Sequence, residues 1–203
     1  MRRSRIEAFS DGVLAIIITI MVLELAKPAG SHLAGLRASA TSLETYLLSF
    51  TYIAIYWNNH HHLFHLVREV RGPILWANNA LLFFLSLVPF TTSWMDITHF
   101  ARTPVMVYGI DLLANAVAYW VLVRTIAHVE GPDSLVRQAF GRDVKGVVSV
   151  VIYAVGVAGC LGSVWVGVAA YVIVAVVWIV PDRRVERAIA ERDTTQRPAA
   201  DDI

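Results

Sequence analysis

Six mostly apolar stretches, at about 6–27, 43–66, 74–95, 104–127, 146–162 and 164–180, are divided by polar residues or by Pro and Gly. A helix rising 1.5 Å per residue needs roughly 20 such residues to cross a hydrocarbon layer about 30 Å thick. The pattern therefore predicts an all-α polytopic membrane protein with six transmembrane helices. A water-soluble globule is excluded by composition, because only 16% of the residues are charged and 57% are apolar, whereas soluble domains carry about 25% charged residues. The last two stretches meet at Gly162-Ser163 and read as a tight helical hairpin. Pro28, Pro73, Pro104 and Pro181 fall at or just beyond span ends, where a missing N–H costs least. Pro89 lies inside the third span and predicts a kink there. With one cysteine, Cys160, the chain forms no internal disulfide and builds no cysteine metal site.

The arginines set the expected orientation. Basic residues gather at the N-terminus (Arg2, Arg3, Arg5), between spans two and three (Arg68, Arg71), between spans four and five (Arg124, Arg137, Arg142, Lys145) and after span six (Arg183, Arg184, Arg187, Arg192, Arg197). Only Lys27, Arg37 and Arg102 lie on the other side. By the positive-inside rule both termini are cytoplasmic. The first stretch is too long for a signal peptide and reads as a retained helix. Residues 1–181 then form one six-helix unit, and 182–203 form a cytoplasmic tail rich in Asp, Ala, Pro and Thr that reads as disordered. The net charge of +1 gives no global field for nucleic acid.

Polar residues within spans are costly, at about 2.5 to 3.5 kcal/mol for Asp or Arg near a helix centre, so their depth is informative. Asp11 lies about 8 Å into the first span at 1.5 Å per residue. Asn58, Asn59, His60, His61 and His62 of the second span, running inward, reach a similar level, with His65 nearer the surface. Asn78 and Asn79 of the third span complete a polar layer in the cytoplasmic third of the membrane, within reach of Arg5. Such a layer satisfies its own hydrogen bonds only if the three helices pack together, which makes helix-joining glue its simplest role. In the fourth span Tyr108, Asp111, Asn115 and Tyr119 recur at spacings of three or four, a stripe that should face protein. Spans five and six carry small residues at Gly156, Gly159, Gly162 and Ser163 and read as a lipid-facing outer wall.

At about 100° per residue, Arg5, Gly12, Ile16, Thr19 and Ile20 all fall near the azimuth of Leu23, while Asp11 points about 120° away. If the first helix lined a conduction path, this would be its lumen face. Periodicity alone does not choose between lumen and packing face, because the helix is apolar all round.

The string Arg5-Ile6-Glu7-Ala8-Phe9-Ser10-Asp11-Gly12 opens the first span. Arg-x-x-x-Phe-Ser-Asp at this place resembles the signature of the transmembrane protein 175 family of potassium-permeable channels, and His60-His61 in the second span adds to the likeness. The resemblance implies a homotetramer in a prokaryotic cell membrane, with the first helix of each subunit lining a central pore. It implies an aliphatic constriction, matched by Ile16, Ile20 and Leu23, with Thr19 as a polar layer. It also implies that Arg5, Ser10 and Asp11 form a network that fixes the first helix against the second and third; with Phe9 of the motif and His60, His61, Asn78 and Asn79 of the polar layer they make up the expected structural network. The permeant ion would be K⁺, with no cofactor and no small-molecule substrate.

Two other classes of function compete. His61, His65 and Glu69 at i, i+4 and i+8 are spaced for a shared metal and suggest a metal-dependent membrane enzyme or metal-ion transporter. Asp11, Asp111 and the histidines are titratable and suggest proton-coupled transport. An enzyme is disfavoured: no nucleophile triad, phosphate loop or nucleotide motif occurs, and the longest hydrophilic connection, about 128–145, is too short for a catalytic domain.

Overall fold

The computed structural model describes residues 3–25, 27–28, 31–141 and 144–179. Arg2, Arg142, Pro181, the basic residues from Arg183 onward and the 182–203 tail lie outside the described residues. Among the described residues the chain is helical without strands, in the order α1 (Arg3–Leu23), α2 (Leu33–Ala38), α3 (Ala40–Leu66), α4 (Gly72–Leu85), α5 (Val88–Ile97), α6 (Arg102–Glu130), α7 (Leu135–Phe140), α8 (Val144–Gly159) and α9 (Val164–Ile179). By length and composition, α1, the α4–α5 pair and α6 are long and apolar enough to cross a membrane. α8 and α9 are shorter apolar helices of 16 residues each.

Local chemistry explains several boundaries. The third apolar stretch is two helices, because Pro89 lacks the N–H that would continue α4 and instead occupies the first turn of α5, where that donor is dispensable. Ser86 and Leu87 bridge the break, and the Leu87 N–H turns back to the Phe84 carbonyl at 3.0 Å. The short helices α2 and α7 interrupt connections that the hydropathy pattern leaves blank. Ser134 caps α7 by accepting the Arg137 N–H at 3.0 Å.

α6 is the central element and touches α4, α5, α7, α8 and α9, while α1 rests on α3, α4 and α5. One apolar cluster joins Ile6, Leu14, Ile17 and Met21 of α1 to Leu63, Phe64, Leu81, Leu122 and Val136. A second joins Tyr52, Tyr108, Tyr153 and Tyr171 to Val105, Leu112, Cys160 and Val174. In this second cluster the helices approach closely. A Cβ on Gly109 would overlap the Tyr171 side chain, and one on Gly167 would overlap Cys160 Sγ. Glycine is required at both places by space.

The candidate pore helix and its polar anchor

α1 has two unlike faces. Ile6, Ser10, Leu14, Ile17 and Met21, spaced by three or four residues, are buried against the neighbouring helices. The opposite side, about 140° round at 100° per residue, presents Gly12, Ile16, Thr19, Ile20 and Leu23. Ile16 is 61%, Ile20 41% and Leu23 78% exposed. Thr19 is also exposed and donates its hydroxyl to the Ala15 carbonyl at 2.6 Å, which leaves its oxygen lone pairs free to face outward. The aliphatic residues picked out from the sequence thus share one open face with Thr19.

The buried face is fastened by a three-residue chain of hydrogen bonds. Asn78 of α4 donates from Nδ2 to Ser10 Oγ at 3.1 Å and accepts at Oδ1 from His60 Nε2 at 2.7 Å. The acceptor oxygen requires the His60 proton to be on Nε2. Ser10 and Asn78 are fully buried and His60 nearly so, and the His60 ring stacks on Phe64 with centroids 4.4 Å apart. One amide therefore ties α1, α3 and α4 together, with both of its ends used.

Asp11 sits aside from this chain. Its carboxylate accepts the Trp57 indole N–H at 3.0 Å, and the Trp57 ring stacks on His61 at 6.1 Å. Trp57 was not foreseen among the site residues, although a lone indole N–H within a turn of the polar layer signals a donor that needs a partner. Asp11 is joined to the layer through this indole rather than through an imidazole or amide.

Arg5, Phe9 and Asn79 are not brought into the buried chain. All three are exposed in the single subunit, because each is turned away from the face that Ser10 or Asn78 presents to its neighbours. Among the described residues, Arg3 joins α1 to α3: it pairs with Glu7 at 3.3 Å and donates to the His65 carbonyl at 3.1 Å.

Tyr108, Asp111, Asn115 and Tyr119 are all buried, as their spacing requires. Asp111 accepts from Thr91 Oγ1 at 3.0 Å and from Asn115 Nδ2 at 3.2 Å, and Ser49 joins Thr92 at 2.7 Å and Tyr108 at 3.0 Å. The stripe of His61, His65 and Glu69 is broken. α3 ends at Leu66, and Glu69 instead pairs with Arg71 at 2.9 Å. Among the described residues no group of three or more His, Cys, Asp or Glu side chains is placed to hold a metal ion.

The family model described as endosomal/lysosomal potassium channel TMEM175 matches residues 5–89, the part that holds α1, α3, α4 and the Ser10–Asn78–His60 chain. A potassium channel of Chryseobacterium sp. (strain P1-3) is 47% identical over 191 residues, covering 94% of this chain and 100% of that one. The crystal structure of a lysosomal potassium-selective channel TMEM175 homolog from Chamaesiphon minutus superimposes with a TM-score of 0.69 at 30% identity, covering 87% of this chain and 96% of that one. The endosomal/lysosomal proton channel TMEM175 of Homo sapiens is 30% identical over 116 residues, 51% of this chain and 23% of the human protein. Extensive identity over a complete bacterial relative, an all-helical fold in common and the match across α1 to α4 lead to one conclusion: the chain belongs to the TMEM175 family, which comprises membrane ion channels and not enzymes.

Proposed function

We propose that this chain is the subunit of a potassium-permeable cation channel of the prokaryotic cell membrane, in which four copies surround a central pore lined by α1. The observation that carries the reading is the pairing of faces on α1. One side is fastened by buried hydrogen bonds, and the other leaves Ile16, Ile20 and Leu23 open without a partner in the single subunit. Relatives named as potassium channels support K⁺ as the permeant ion. No cofactor enters this reading.

A ring of four Ile16 side chains, extended by Ile20 and Leu23, closes by expelling water when narrow and conducts when it widens. Thr19 supplies hydroxyl oxygens to a partly dehydrated ion between these rings. The sequence has no Thr-Val-Gly-Tyr-Gly loop, so no ladder of carbonyls replaces the hydration shell of K⁺, and selectivity is modest. The Ser10–Asn78–His60 chain is the anchor that keeps the aliphatic face turned to the lumen. In this reading residues 1–181 form six spans with both termini cytoplasmic, α4 and α5 together making the third, and 182–203 is a cytoplasmic tail.

The test is ion flux in liposomes holding only the purified protein, with K⁺ and Na⁺ gradients compared and Ile16→Asn beside the wild type. Passive flux that favours K⁺ and rises several-fold in Ile16→Asn is expected. Equal flux in the two proteins would remove Ile16 from the gate. Silence in both would favour a proton-coupled or metal-ion transporter using the Asp11 and His60 to His65 layer over a channel, and a saturating flux driven by a pH gradient would decide for proton coupling.

A further inference from the structure

Away from α1, one face of α6 carries two adjoining hollows of opposite character. The first, about 40 Å³, is an apolar crevice walled by Tyr56, Tyr119, Trp120, Tyr153 and Trp178, where α3, α6, α8 and α9 meet. The second, about 190 Å³, lies one turn further along α6 against α7 and is lined by Arg124, His128 and Arg137 together with Val123, Val136 and Phe140. Among the described residues no carboxylate lines it. Among the described residues neither Arg124 nor Arg137 forms an ion pair.

The two hollows are connected by side-chain contact. Arg124 Cζ stands 5.4 Å from the centroid of the Trp120 ring, and across the crevice Lys145 Nζ stands 4.8 Å from that of Trp178. Each tryptophan thus forms part of the apolar wall while a cation lies over its face. Depth agrees with this arrangement. α6 has 29 residues, about 43 Å at 1.5 Å per residue against a hydrocarbon core of about 30 Å. Its last turns, from Arg124 onward, therefore reach the headgroup zone when Arg102 begins at the opposite face. Trp120 falls at the boundary, where tryptophans of membrane helices concentrate.

We propose that this surface binds an anionic phospholipid of the cytoplasmic leaflet, with the phosphate on Arg124, His128 and Arg137 and an acyl chain lying along Trp120 into the aromatic crevice. Charge complementarity selects the headgroup, and the apolar crevice selects a ligand with a tail over a free phosphate. The site rests on the orientation proposed above but not on the pore or gate, since neither hollow includes a residue of α1.

The experiment is native mass spectrometry of the purified full-length protein with added phosphatidylglycerol or phosphatidylcholine of equal chain length. The wild type is compared with Arg124→Gln/Arg137→Gln and with Arg124→Lys/Arg137→Lys. At about 1 kcal/mol per basic residue, phosphatidylglycerol should lose about 10- to 30-fold in affinity in the glutamine variant. The lysine variant should retain most of the affinity, and phosphatidylcholine binding should be the same in all three proteins. Both arginines are exposed, and an unchanged elution profile verifies folding. Equal retention of the two lipids, or of phosphatidylglycerol by wild type and glutamine variant, overturns the proposal. Displacement of phosphatidylglycerol by glycerol phosphate at equal concentration also overturns it, in favour of a soluble anion. Because the readout is binding, a failed flux assay and a failed lipid assay remain distinguishable.

Discussion

The junction of α1 with α3 and α4 and the junction of α6 with α8 and α9 answer the same problem by different chemistry. In lipid, apolar side chains gain little by leaving their surroundings, so helices are held by hydrogen bonds or by close fit. The first junction uses Asn78, which bonds to Ser10 and His60 at once. The second uses missing side chains: Gly109 receives Tyr171, and Gly167 receives Cys160. Hydrogen bonds between a few atoms fix rotation about the helix axis, which is what the pore-lining role proposed for α1 would require. Close packing spreads its gain over many small contacts and does not single out one azimuth. The second junction has hydrogen bonds too, from Tyr171 to the Val105 carbonyl and from Trp178 to Ser149, but the first rests on one buried amide that bridges three helices.

The sharpest way to break the packed junction is Gly109→Leu. Its added atoms would overlap the Tyr171 side chain, whose hydroxyl donates to the Val105 carbonyl at 3.3 Å and whose own carbonyl accepts from Tyr52. The ring is held through its hydroxyl and the Tyr171 backbone through Tyr52, so relaxation is limited. A loss of about 3 kcal/mol or more is expected, at the upper end of overpacking penalties. Thermal unfolding in detergent checks it. A melting temperature within a few degrees of wild type would show that the hairpin shifts freely and that close fit does not hold it.

Asn78→Ala attacks the polar junction and should cost less, about 2 kcal/mol. It leaves Ser10 and His60 buried without their partner, at about 1 to 3 kcal/mol for an orphaned group in water-soluble proteins, reduced because interhelical bonds in membranes average about 0.6 kcal/mol in double-mutant cycles. The comparison predicts more than a stability loss. With rotation of α1 released, ion flux and its response to Ile16→Asn should both change, whereas a packing variant of α8 or α9 that still folds should leave them intact. Asn78→Ala that melts early yet conducts like the wild type would reduce the network to glue.

The two junctions also differed in how well the sequence revealed them. The polar one was partly legible because depth can be counted from a span end: His60 and Asn78 reach one level by arithmetic on 1.5 Å per residue, whereas Ser10 came from the family resemblance of the first span. Which of the neighbouring polar residues join it was less so. Asn79 and Phe9 sit one position from true members, and a helix turns a residue through about 100° at each step. The packed junction was only half legible. The small residues of α8 are visible in the sequence, but Gly109 meets Tyr171 from 62 positions away, and nothing local in either helix says which faces will touch. The kink expected at Pro89 became a division between α4 and α5 because the proline opens a new helix rather than bending an old one. α2 and α7 were invisible, since helices of six residues carry too few positions for a period.

Trp57→Phe is the mildest probe and separates azimuth from strength. It removes the indole N–H that reaches Asp11 Oδ1 and keeps an aromatic ring beside His61. Asp11 is exposed in the single subunit, so its carboxylate recovers water where water is present, and the expected cost is within about 1 kcal/mol. If the buried chain alone sets the rotation of α1, the variant should melt near the wild-type temperature and pass K⁺ at the wild-type rate. If Asp11 and Trp57 form a second fastening, on the side of α1 about 100° from Ser10 at 100° per residue, flux should change while melting barely moves. Combining Trp57→Phe with Ser10→Ala decides between these outcomes. Additive effects mean independent fastenings, and a double variant worse than the sum means that either one suffices to keep the aliphatic face in place.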